Sequence, residues 1–597
     1  MNTPCALTLE SVASASLNYI ENLVDADGLP YFNVFWTTPP EAAHDWPDFG
    51  DVMSRQLQGA IMLRRMTGKE AATEAVWLRK LLGGIDAGDG QLHRPAAPWC
   101  KPKVEDPALP LYALATAALD RDDGALKATC ARMAEGYLRR LRDGYAPENL
   151  FSGFTIKSLM VVARAMGCEA ALEGARLLAE HILASRTFNA DNTFGPKAHM
   201  HGNLRSLVGL ADYALTARDP VLYSRVDALY RYVKSTGARF GFIPEVVNWR
   251  PSDLIACETC ALMDFAGLGV TLANHGHPEY WGDMERLMRN HLVESQLRDA
   301  GWLGAGADRP DTEQFTWRAV AQRCVGAWAG WSSPNHVLAY RETLNGVWGG
   351  PELREKTRAL QNCCGGSGLH ALFILWRNAA RRADGVLSVH LHLDKLLPEA
   401  EIRCEQPYRG RLSVALALDA AVRIRIPDFA APESLEATVN GAPVAIPLTH
   451  RQATGFLAAP SGPTGAVRIA GNYLELGPRR AGDRIELRYP LPVWSEEVAV
   501  GNPGRRQWRY RVTWKGDTVV RMEPLDNEAA TCWSDFDKKD VEVFYGAQGP
   551  GRLYQREDML RDAAPTATPL QRDDGRLDFW HVAGSPGSSP ASFRRQA

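Results

Sequence analysis

Between residues 54 and 380 apolar side chains recur every three or four positions, which predicts helix after helix. SRQLQGAIMLRRMTG (54–68), LPLYALATAALD (109–120), LKATCARMAEGYLRRLRDG (126–144) and ALEGARLLAEHILAS (171–185) each carry an amphipathic stripe. Similar runs follow at 204–217, 221–235, 260–274, 280–296 and 366–380, joined by short Gly-, Pro- or Asn-bearing connections. About a dozen helices without intervening strands predict an all-α layer over residues 1–384, in which paired helices close into an (α/α) barrel, a six-hairpin toroid. A helical solenoid would give the same pattern.

Near Asp384–Gly385 the period drops to two. VLSVHLHLD, EIRCEQ, RLSVALAL, VRIRIP, LEATVN, DRIELRYP, WRYRVTW, TVVRMEP and VEVFYG alternate apolar and polar residues and are rich in Val, Ile and Leu. Asn440–Gly441, Gly482–Asp483 and Gly516–Asp517 are turn signals. The pattern predicts an antiparallel β-sandwich at 385–493 and a second sandwich or its continuation at 494–558. The stretch 559–597 is poor in apolar residues and rich in Ser, Pro and Gly, and is expected to be a flexible tail.

A length of 597 residues allows several domains, and 45% hydrophobic with 23% charged residues is globular composition. The 67 Lys+Arg against 70 Asp+Glu leave a formal charge of −3, without the basic surplus of a nucleic-acid-binding protein. No apolar run reaches the ~20 residues that span a bilayer, so no membrane association is expected. The first residues lack a basic and apolar leader. Together with an odd count of 11 cysteines, this predicts reduced thiols and a cytoplasmic location.

Four cysteines lie in two tight clusters, Cys257-Glu258-Thr259-Cys260 and Cys363-Cys364, the latter followed by Gly365-Gly366-Ser367-Gly368. Thiolate and carboxylate suit zinc, so Glu258, Cys260, Cys363 and Cys364 form a chemically sensible ligand set. Residues two apart point the same way only in extended chain, so Glu258 and Cys260 must sit just before the helix starting near Ala261. Adjacent cysteines converge across a sharp bend, which the following glycines would permit through positive φ. Two plainer readings stay open: small buried apolar residues, or a vicinal disulfide.

At these residues the chain resembles the bacterial β-L-arabinofuranosidases of glycoside hydrolase family 127. Glu258-Thr259-Cys260-Ala261 and Cys363-Cys364 stand in the family's order, and WGDMERLMRNHL (281–292), RIRIPDF (423–429), NGAPV (440–444) and AGDRIEL (481–487) resemble its flanking helix and strands. The resemblance spans roughly 200–490. It implies an (α/α) barrel with attached β-sandwiches, a zinc ion on Glu258, Cys260, Cys363 and Cys364, and Cys363 as the nucleophile of a retaining exo-glycosidase. It implies a glutamate acid/base upstream of Glu-Thr-Cys, for which Glu245 in GFIPEVVNW is the candidate. It also points to His199 or His201 for sugar binding, with Arg205 at the family's arginine. Trp46 and Asp48 in WPDFGD and Trp99 in PAAPWCKP are further sugar-binding candidates, by stacking and by hydroxyl contact.

The chain departs from the family's Cys-Cys-Pro-Pro-Asn, and Phe154 stands where arabinofuranosidases tend to place a histidine. Both weigh against arabinofuranose more than against thiolate chemistry. The expected partner is an oligosaccharide or glycoconjugate, with a homodimer compatible. Rival readings are a sugar epimerase or unsaturated-uronide hydrolase on the same toroid, using acid–base pairs without zinc. A carbohydrate-binding protein with a structural zinc is a third.

Overall fold

The computed structural model describes the chain apart from residues 1–6, 36–39, 148, 249–255, 302–305, 308, 338–341, 344–356, 448–466, 502–506, 526–550 and 583–597. The helices are α1 (Leu9–Ala15), α2 (Leu17–Asn22), α3 (Met53–Thr67), α4 (Ala72–Gly83), α5 (Ala108–Arg121), α6 (Gly124–Arg142) and α7 (Asn149–Met166). They continue with α8 (Glu169–Ala184), α9 (Met200–Ala217), α10 (Pro220–Thr236), α11 (Thr259–Asn274), α12 (Trp281–Leu287), α13 (Val320–Arg323) and α14 (Cys363–Asn378).

Six of them form a closed circuit: α3 packs on α5, α5 on α7, α7 on α9, α9 on α11, α11 on α14, and α14 returns to α3. Burial separates these from their partners. In α14 every residue is buried, and in α11 all but the last, as expected for helices enclosed on all sides. The partners α4, α6, α8, α10 and α12 each pack on a helix of the circuit and bury one stripe. Asp123 and Asp219 cap two of these outer helices by accepting from backbone N–H groups of the first turn.

The connections differ from expectation, because they contain short strands. Asn33–Phe35 pairs with Glu41–Ala43 and with Thr357–Gln361, and Cys257–Glu258 pairs with Trp331–Ser332. Segments of two to five residues are too short to show a period of two, so the sequence pattern hides them.

Beyond residue 379 two sheets follow, one of five strands and one of six. Leu387, Val422, Ile424 and Leu474 of the first meet Ile402, Val414, Ile485 and Leu487 of the second in one hydrophobic cluster. Asn440 and Gly441 both take positive φ, as the hairpin turn between 436–439 and 442–444 requires. One pairing, 386–389 with 420–425, is parallel, against the all-antiparallel expectation.

The strands Val493–Gly501, Gln507–Lys515 and Thr518–Pro524 form a separate antiparallel sheet. Its Trp508, Tyr510, Val512 and Trp514 join the core of the helical circuit, so no second sandwich appears among the described residues. The expected strand VEVFYG lies outside them.

The tail expectation needs correction for residues 559–582. Leu577, Phe579 and Trp580 are buried. Lys157 and Arg164 donate to the carbonyls of Phe579 and His581, Arg65 pairs with Asp574, and Arg576 donates to the carbonyl of Asp120. Arg65, Asp120 and Arg164 stand in the last turns of α3, α5 and α7, so this segment crosses the C-terminal end of the helical circuit. Average composition hides three well-placed large apolar side chains.

Glu285 ties the helices to the sheets. Its carboxylate accepts from Arg289 Nε (2.6 Å), Arg425 NH2 (2.9 Å) and the backbone N–H of His392 (2.8 Å). No helix among the described residues is long and apolar enough to cross a membrane.

Candidate functional site

The N-termini of α11 and α14 bring the two thiol clusters together. Glu258 is extended (φ −91°, ψ 128°) as the residue before α11, while Cys260 is already helical. The strand pairing with Trp331–Ser332 holds Glu258 there. Cys363 and Cys364 open α14 directly after the strand Thr357–Gln361. Asn362, just before them, is pinned by its N–H to the carbonyl of Phe32 (2.9 Å) and by Gln56, which donates to its carbonyl (2.7 Å).

The bend expected at the glycines is absent: Gly365, Gly366 and Gly368 are helical without positive φ. They serve close packing instead. A Cβ at Gly366 would lie 2.5 Å from the carbonyl oxygen of Arg55, one at Gly368 2.1 Å from the Trp328 ring, and one at Gly365 2.1 Å from the Tyr19 hydroxyl. Bare backbone thus lets the N-terminus of α14 sink against α3.

Ligand atoms of Glu258, Cys260, Cys363 and Cys364, all buried, lie within 4.8 Å of one another. Cys260 Sγ and Cys364 Sγ are 3.5 Å apart. Zn–S bonds of 2.3 Å in tetrahedral array place two sulfurs about 3.8 Å apart, so the spacing and the donor set fit zinc. Hydrogen bonds from Cys260 and Cys364, helped by the charge of Arg55, outweigh burial and bring the Cys363 thiol down to about 5. Burial drives Cys260 and Cys364 the other way.

A second group shares Glu258: ligand atoms of His199, Glu245 and Glu258 also lie within 4.8 Å of one another. His199 Nε2 is 2.9 Å from Glu258 Oε2. Burial opposes charge on both, but their mutual attraction prevails, raising His199 to about 9 and lowering Glu258 to about 2. The pairing of Ala198–His199 with Val246–Val247, the Met200 N–H donating to the Glu245 carbonyl, and the Glu245 N–H donating to Ala256 hold Glu245 in place.

The other candidates fare differently. His201 is buried 2.6 Å from Asp264, and its Nε2 lies 3.2 Å from Arg55 NH2. A guanidinium only donates, so Nε2 accepts and the Nδ1 proton goes to Asp264. The Phe154 ring lies 4.8 Å from His201. Arg205 is buried beside Asp264 at 3.5 Å. Asp48 is fully buried among Arg94 (2.6 Å), His44 (3.1 Å) and the Trp99 indole N–H (3.0 Å), which corrects its assignment to sugar hydroxyls. Trp99 stacks on His44 at 4.7 Å, and Lys103 covers the Trp46 ring at 4.0 Å. This cluster is linked to the thiols by Val52, at the end of the 48–52 turn that leads into α3, which packs with Cys260, Cys363 and Cys364.

Sequence reasoning missed Arg55. It pairs with Asp51 at 2.5 Å and donates from NH1 to Ser367 Oγ (3.1 Å) and toward Cys260 Sγ (3.6 Å). The available signal was an Asp at i and an Arg at i+4 leading into a helical run.

No protein-family model and no characterised protein sequence matches the chain. Solved structures do. A glycoside hydrolase family 127 β-L-arabinofuranosidase from Geobacillus stearothermophilus T6 superposes with a TM-score of 0.53 at 15% identity, over 87% of this chain and 86% of that one. A structure described as a glycoside hydrolase gives 0.54 at 14%, over 84% and 85%. A further family 127 β-arabinofuranosidase gives 0.52 at 14%, over 85% and 79%. At such identities the likeness is one of fold.

Proposed function

We propose that this protein is a retaining exo-glycosidase of the family 127 type. In this reading the helical circuit is an (α/α) barrel, the two sheets with a common core are a β-sandwich, and Cys363 is the nucleophile. The observation that carries it is the convergence of Glu258, Cys260, Cys363 and Cys364 on one point at the N-termini of two helices. A shared fold supports it.

Those four residues would hold a zinc ion, which supplies the positive charge that keeps the Cys363 sulfur a thiolate. Helix N-terminal dipoles add to that bias, and Arg55 lies beside the cluster with a fixed positive charge. Cys363 Sγ attacks the anomeric carbon as the bond to the leaving oxygen breaks, and Glu245 gives that oxygen a proton. A glycosyl thioether results. Glu245, now a carboxylate, takes a proton from water; the water oxygen attacks the anomeric carbon, and the carbon–sulfur bond breaks to restore the thiolate. Two inversions retain configuration. His199 holds Glu258 by its hydrogen bond, and Phe154 beside His201 replaces a polar contact with an apolar one, which supports a sugar other than arabinofuranose.

Zinc-loaded protein assayed on a panel of aryl glycosides tests the reading. Hydrolysis with retention by the wild type, and its loss in Cys363→Ala protein, is expected. A Cys363→Ala variant as fast as wild type refutes the nucleophile.

A further inference from the structure

A cavity of about 330 Å³ opens beside His199, lined among others by Arg186, Lys197, Gly202, Asn203 and Ser206. Its size falls within the ~300–1,000 Å³ of small-molecule sites. It lies where the strand pair Ala198–His199 with Val246–Val247 meets the first turn of α9. His199 lines the cavity, and its ligand atom lies within 4.8 Å of that of Glu245, so one side chain links the cavity to the proposed proton donor.

The chemistry of the lining is one-sided. Among the described residues it holds the cations Arg186 and Lys197 and no carboxylate. The Arg186 side chain is exposed and has no hydrogen-bond or ionic partner among the described residues. Lys197 adopts a left-handed backbone (φ +53°), an uncommon conformation for a side-chain-bearing residue, and its N–H reaches the carbonyl of Asn248 at 3.3 Å. The start of α9 adds the positive end of a helix dipole. On the inner wall Asn203 is 5% exposed; its Nδ2 donates to the carbonyl of His199, while Oδ1 is buried without a partner. An unpaired buried acceptor calls for a donor such as a hydroxyl.

We infer that this cavity is the leaving-group subsite and takes a sugar unit bearing a carboxylate, a hexuronate. The carboxylate lies between Arg186 and Lys197, and a ring hydroxyl donates to Asn203 Oδ1. The assignment to the leaving side rests on the reading of Glu245 as proton donor. Two solvent-facing cations give such a unit about a tenfold advantage over its neutral counterpart.

Calorimetric titration of the zinc-loaded, full-length protein with methyl glucuronide and methyl galacturonide, each against its methyl ester, tests this. The acids are expected to bind about tenfold more tightly than the esters, and the advantage should shrink in about 0.5 M salt. Arg186→Ala/Lys197→Ala protein should lose the advantage while keeping ester affinity. Equal binding of acid and ester, an advantage that survives in the double variant, or no binding of either overturns the inference. Binding is read without turnover. A protein that cleaves aryl glycosides through Cys363 but ignores the carboxylate therefore overturns this inference alone. One that binds the uronates and cleaves nothing overturns the hydrolase reading and with it the leaving-side assignment, and leaves the carboxylate site standing.

Discussion

Replacing Glu285 should destabilise the protein through a buried charge network, and the loss can be worked out in two ways. The carboxylate is fully buried and accepts from two guanidiniums and one backbone N–H. Glu285→Ala leaves Arg289 buried with no carboxylate partner among the described residues, and Arg425 with only Asp428 at 3.4 Å, a situation that costs about 3–5 kcal/mol. The second route is titration. Burial raises the affinity of Glu285 for a proton, but Arg289 and Arg425 reverse this and bring its pKa from 4.5 to about 2. At about 1.4 kcal/mol per pH unit, that fall is worth about 3 kcal/mol. A folded pKa below the unfolded one stabilises above pH 4.5 and is lost as pH falls toward 2; about 1.4 kcal/mol is gone by pH 3.5. Chemical denaturation of wild type and of Glu285→Gln at pH 7 and pH 3.5 measures both effects. Glu285→Gln should be less stable at pH 7 and lose less between the two pH values. A variant within about 0.5 kcal/mol of wild type, or one with the wild-type pH response, refutes the reasoning.

Gly366→Ala places a methyl group 2.5 Å from the Arg55 carbonyl oxygen, where two backbones must part, and should cost about 1–3 kcal/mol in thermal or chemical denaturation. In metal-free protein Arg55→Met removes a positive charge beside Cys363, so the midpoint for alkylation of that thiol should rise from about 5; mass-spectrometric rates across pH would show an unchanged midpoint if the guanidinium were irrelevant. Trp580→Ala should cost about 3–5 kcal/mol, because the side chain is 1% exposed against His370 and Phe373, whereas a free tail would show no loss on melting.

Much of the helical register was legible because it is encoded within four residues: the runs at 54–68, 109–120, 126–144 and 171–185 all fall on helices. Glu258, Cys260, Cys363 and Cys364 stood out by residue type and by the family resemblance, and the fold brings them within reach of one ion. Asp48 misled because an acidic residue in a short polar motif looks solvent-facing until Arg94 and Trp99, about fifty residues away, close over it. The glycines after Cys364 misled for a related reason. The same lack of a Cβ serves a turn or a close helix contact, and only the position of α3 decides between them.

The sequence by itself determined the change of period near residue 384, the Asn440–Gly441 hairpin and the chemical identity of the four candidate ligands. Those depend on local spacing and side-chain type. Closure of the helical circuit decided the rest: the meeting of two thiol segments about a hundred residues apart, the placing of Arg55 beside Cys260 and Ser367, and the crossing of Phe579–Trp580 over the far end. Long-range convergence leaves no periodic trace, because it depends on which helix faces pack together rather than on what any one segment prefers.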